Sequence, residues 1–64
     1  MNLIPFHSFE QPERLVYVNP VLVAYVDTHI VDGTDWGARI ILGHRAAVLV
    51  LESPETVVEL LRKA

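Results

Sequence analysis

The sequence predicts an α+β fold, a small antiparallel β-meander of four or five strands with one C-terminal α-helix. Three observations carry this expectation. Short β-branched and aromatic runs recur between turn formers. The stretch "ARIILGHRAAVLVLE" reads as a tight hairpin centred near Gly43. The last segment, "SPETVVELLRKA", has a helix start, an apolar stripe and a helix end.

The elements follow in order. Residues 3–9, "LIPFHSF", read as a first strand, with Pro5 better suited to an edge because it cannot donate to a ladder. "EQPE" at 10–13 is a turn. "RLVYV" at 14–18 is a second strand by its β-branched and aromatic content. Asn19-Pro20 breaks it, since proline presets φ in a turn and asparagine can bond its own backbone. Residues 21–31, "VLVAYVDTHIV", resume as a longer strand. One side of it carries Val23, Tyr25, Asp27 and His29, and the other carries Leu22, Ala24, Val26 and Ile30. "DGTDWG" at 32–37 reads as a loop rich in turn formers.

The hairpin turns at Gly43-His44 or at His44-Arg45. Glycine in first place favours a type II′ turn and hence Gly43-His44. A two-residue loop puts Ala38, Ile40, Leu42, Ala47, Leu49 and Leu51 on one face. It puts Arg39, Ile41, Ala46, Val48 and Val50 on the other. In the final helix Ser53 is the cap, Pro54 fits the first position, and Glu55 meets the positive end of the dipole. Arg62 and Lys63 meet the negative end. Val57, Val58 and Leu61, with Leu60 beside them, make the apolar stripe.

Both hairpin faces are then mostly apolar, and one short helix covers only one. Either the sheet curls, so that the first strand with Phe6, Phe9 and Trp36 folds over the second face, or another copy of the chain covers it. The second outcome makes Ile41, Val48, Val50 and Trp36 the candidate interface, and homo-oligomerisation is the expectation. Bulk composition agrees. The chain is 52% apolar, and its 64 residues make a single domain, 1–64. With no cysteine, neither disulfides nor thiolate metal sites can staple so small a core.

Other functions find less support. A net charge of −3 offers no basic footprint for phosphates, so nucleic acid is not the expected partner. The alternative is a small nucleic-acid-binding or regulatory protein, with Arg14, Arg39 and Arg45 on one surface and Tyr17 or Tyr25 as stacking platforms. Asp27, His29, Asp32 and Asp35 could ligate a metal, but their spacing matches no metal motif. A triad would need a nucleophile and an acid beside His7, His29 or His44. Ser53 is better explained as a cap, and Ser8 points away from His7 on a strand. Neither catalysis nor a cofactor is expected. The longest apolar run, "VLVAYV", is far short of the roughly 20 residues of a membrane span. "MNLIPFHSFEQPER" lacks the charged start and apolar core of a signal peptide. A cytoplasmic chain is the expectation.

At "VYVNPVLVAYV", "ARIILGHRAAVLVLES" and "PETVVELL" the chain resembles the small motility-associated FlbD/SwrD family. The matching features are Asn19-Pro20, the hairpin around Gly43-His44-Arg45, Glu52-Ser53, and the Val57/Val58/Leu61 stripe. The hairpin departs from the family's usual Asn-Gly and lysines, and residues 5–13 are longer than its first connection. The resemblance implies the same order of strands, hairpin and helix rather than a motility role; the expected function, a non-enzymatic interaction module accessory to a larger assembly, comes from the apolar sheet face. The resemblance supplies no catalytic residue.

Overall fold

A computed structural model describes residues 2–64. The order is β1 (Ile4–His7), β2 (Leu15–Val18), a 3-10 turn (Pro20–Leu22), β3 (Val23–Val31), β4 (Thr34–Leu42), β5 (Ala47–Val50) and α1 (Pro54–Arg62). All strand pairs are antiparallel, and the α+β class holds. β1 pairs with β2, and β3, β4 and β5 form a second sheet. One bridge, Ser8 opposite Val50, joins the two sheets. The Phe9 amide donates to the Leu49 carbonyl at 3.1 Å and the Leu51 amide to that of His7 at 2.9 Å. The strands therefore run β2-β1-β5-β4-β3. Pro5 lies in the part of β1 that pairs on one side only, where its missing N–H costs no ladder bond.

β2 and β3 stand at opposite ends of this order, yet only residues 19–22 connect them. That short span forces the sheet to curl, because four residues reach at most about 14 Å. The Asn19 side chain builds the connection by accepting from the Val21 amide at 3.1 Å. The Gly43 amide donates to the Leu22 carbonyl at 2.7 Å and ties the β4–β5 loop to the same corner. Strand β3 thus begins at Val23, two residues later than expected, because Val21 and Leu22 belong to the 3-10 turn.

Two other expectations need correction. Residues 32–37 are not a loop. Asp32 and Gly33 have φ of 51° and 77°, and they alone separate β3 from β4, as in a type I′ hairpin. Thr34 to Gly37 belong to β4. The second correction concerns the β4–β5 turn. Arg45, not Gly43, has positive φ, at 72°. The Arg45 amide donates to the Leu42 carbonyl, and the Leu42 amide to that of Ala46. The loop therefore has three residues, a turn followed by a left-handed residue, rather than the two of a type II′ turn.

That one extra residue moves β5 by one place against β4. Ala38 faces Val50 and Ile40 faces Val48, while Arg39 faces Leu49 and Ile41 faces Ala47. A slip of one residue exchanges the two faces of a strand. Val48 and Val50 thus join Ala38 and Ile40 on the inner face, and Ile41 lies on the outer one. The inner face is covered by the chain itself. Ile4, Phe6, Val18, Ala38, Ile40, Val50 and Val57 are buried, with Val16, Val26, Leu42, Val48, Leu60 and Leu61 packed on them. The curled N-terminal hairpin closes one side of this core, and α1 contributes Val57.

The helix begins as expected. The Ser53 hydroxyl accepts from the Thr56 amide at 3.2 Å, and Pro54 occupies the first turn. Of the expected stripe, Val57, Leu60 and Leu61 meet the core and Val58 is exposed.

Candidate interaction surface

Strand alternation points a second set of side chains away from the core. One row crosses four strands: Phe9, Leu49, Arg39 and Asp27. Beside it run Ala47, Ile41 and Tyr25. On its other side stand His29 and Trp36. The Phe9 ring meets His29 edge-on with centroids 4.8 Å apart, and Trp36 edge-on at 6.0 Å. Tyr25 and Trp36 are about half exposed, at 55% and 47%. Phe9, Ile41 and Leu49 are half-buried.

One ion pair sits in the middle. Arg39 Nε donates to Asp27 Oδ1 at 2.9 Å, and Nη2 donates to Oδ2. These hydrogen bonds, with the attraction of the guanidinium, hold the Asp27 carboxyl below its ordinary range. They also raise the Arg39 guanidinium. His29 Nδ1 is buried and has no hydrogen-bond partner among the described residues.

No protein-family model, curated protein or solved structure matches the chain. The surface is therefore interpreted from its chemistry.

The residues expected at an interface divide in two. Trp36 and Ile41 lie on the outer face. Val50 is fully buried and Val48 packs against the core, so neither is offered to a partner. Tyr25, Leu49 and Phe9 belong to the outer face as well. Tyr25 was legible from its place beside Asp27 and His29 on one side of the third strand. Leu49 and Phe9 were not, because their orientation depends on the three-residue loop and on the Ser8–Val50 bridge.

The remaining candidates are scattered. Asp27 is engaged by Arg39, Asp32 lies in the turn, and Asp35 faces Ile30. Among the described residues no three metal-ligating side chains gather. His7 Nδ1 lies 2.8 Å from Glu52 Oε2, and the His7 amide donates to both carboxylate oxygens at 3.0 and 3.1 Å. This Glu52 contact latches β1 to the segment after β5. Ser8 Oγ accepts from the Gln11 amide at 3.3 Å and shapes the 10–13 turn. Arg14 donates to Gln11 Oε1, Arg39 is held by Asp27, and Arg45 occupies the hairpin loop. Among the described residues no helix is long and apolar enough to cross a membrane.

Proposed function

We propose that the chain is a small non-enzymatic interaction module that self-associates, with the outer sheet face buried in the assembly. One observation carries the reading: Phe9, Tyr25, Trp36, Ile41 and Leu49 align on a face that no element of the described residues covers. Aromatic and apolar side chains grouped around one arginine have the composition of interface cores. A standard interface takes about 800 Å² from each partner, less than a fifth of the 4456 Å² this chain exposes. An accessory role in a larger cytoplasmic assembly agrees with this chemistry.

The test is native mass measurement over a dilution series. The wild type should form a defined oligomer, and Ile41→Lys, on the outer face, should reduce its mass while keeping the circular dichroism of the fold. A wild type that stays a single chain at every concentration would overturn the reading.

A further inference from the structure

Strand β3 ends the order β2-β1-β5-β4-β3, and it pairs only with β4. Among the described residues no backbone hydrogen bond reaches its other edge. An open edge of nine residues is a template for another strand. Exposed apolar side chains gather on this strand: Tyr25, Ile30 at 58% and Val31 at 45%. The extra residue on β3 itself is Ala24; the second register shift, between Thr28 and Ile30, carries its extra residue on β4, and the strand ends at the Asp32-Gly33 turn. Residues 25–31 remain, and Thr28 is their midpoint.

We propose that a second copy of the chain adds to this edge, β3 against β3, antiparallel about a two-fold axis at Thr28. The inference rests on the reading that the chain self-associates, but it uses the strand edge and not the outer face. Symmetry limits the choice. In an antiparallel ladder, hydrogen-bonded and non-bonded pairs alternate, so a two-fold axis must pass through a residue facing its own copy. An axis at Asp27 sets two carboxylates opposite each other. An axis at His29 sets Asp27 opposite Val31, and one at Val26 sets Tyr25 opposite Asp27. Only Thr28 matches every pair. It places Val26 opposite Ile30, Tyr25 opposite Val31, and Asp27 opposite His29, with Thr28 facing Thr28. Apolar, aromatic–β-branched and Thr–Thr pairs are those that stabilise antiparallel ladders, and Asp27 meets an imidazole rather than a second carboxylate. Asp27 would then stand between Arg39 of its own chain and the imidazole of the other copy. Edge pairing makes the two outer faces continuous, so burying those faces as well would close a tetramer, a dimer of dimers with two kinds of isologous contact.

The chain has no cysteine, so any disulfide in a single-cysteine variant joins two chains. Facing residues in a ladder lie about 4.5–5.5 Å apart at Cα, within disulfide reach. Thr28→Cys should convert to a covalent dimer under mild oxidation. Ile30→Cys, whose copies lie four positions out of register, should not. Ile41→Lys should leave the Thr28→Cys cross-link intact, because it perturbs the face and not the edge. As a second measurement, Ile30→Lys removes two symmetric apolar pairs and should weaken dimerisation roughly tenfold or more. An oligomeric wild type with an unlinked Thr28→Cys and an unaffected Ile30→Lys overturns edge pairing and spares face burial. Equal cross-linking at positions 28 and 30 also overturns it. A monomeric wild type overturns both.

Discussion

Gly37 is the position where one methyl group should do most harm. It lies in β4 with φ of 123°, where the strand carries an extra residue opposite His29. A Cβ built there would stand 2.2 Å from the Val50 carbonyl oxygen and 3.0 Å from that of Leu51. Neither atom can swing aside, because both are backbone. β4 would have to retreat from the end of β5 by about 1 Å, beside Ala38 and Val50, which are fully buried. The backbone strain costs about 1–3 kcal/mol, and two loosened ladder bonds add about 1–3 kcal/mol. Gly37→Ala should therefore cost roughly 2–6 kcal/mol, against a total of about 3–10 kcal/mol for a domain of this length. Gly33→Ala is the matched control. Its φ is also positive, at 77°, but nothing lies within 4 Å of its added Cβ. It should cost only the left-handed backbone penalty, about 1–2 kcal/mol. Urea unfolding of both variants at one protein concentration measures the difference. A Gly37→Ala midpoint no lower than that of Gly33→Ala would refute the close-approach argument.

Two further perturbations probe the polar contacts. Glu52→Ala leaves the His7 amide without its carboxylate and should cost about 1–3 kcal/mol. His7→Ala keeps that amide bond and loses an imidazole that is mostly exposed, so it should cost under about 1 kcal/mol; equal losses on denaturant titration would discount the latch. Asp27 titrates below its ordinary 3.8 because Arg39 bonds its charged form. The pair's contribution is complete above pH 3.8 and fades as pH falls through the lowered value. Arg39→Met removes it, so the variant's melting temperature should fall less steeply with acid over that window than the wild type's; parallel curves would count against the pair.

Local chemistry made much of the fold legible. Asn19-Pro20, the Ser53 cap with Pro54, and the β-branched runs each act within a few residues, and each element formed where they stand. The failures lie where local signals compete. Asp32-Gly33 is a strong turn signal, but Thr34, Asp35 and Gly37 behind it also look like loop residues. The ladder to β3 overrides them, and Gly37 serves a close strand approach. At the second hairpin, glycine in first position pointed to a two-residue turn. The chain instead puts positive φ at Arg45, a residue with no local preference for it. What that register achieves is tertiary. It turns Val48 and Val50 toward Phe6 and Val57, a benefit no window around the turn can register. The candidate surface inherits this dependence, so Trp36 and Ile41 were legible while Val48 and Val50 were placed on the wrong side.

β1 lies inside the sheet, between β2 and β5, and precedes both in the chain. β1 is clamped to the segment after β5, and the His7–Glu52 contact spans 45 positions of the chain. During synthesis β1 can do no more than pair with β2 until that late segment leaves the ribosome. Closing so wide a loop comes before any reward from the contacts it makes, which slows folding. A nascent chain halted before Val50 would display Phe6 and Ile4 to solvent and attract chaperones. Emergence of residues 50–62 should then complete sheet, helix and core in one cooperative step.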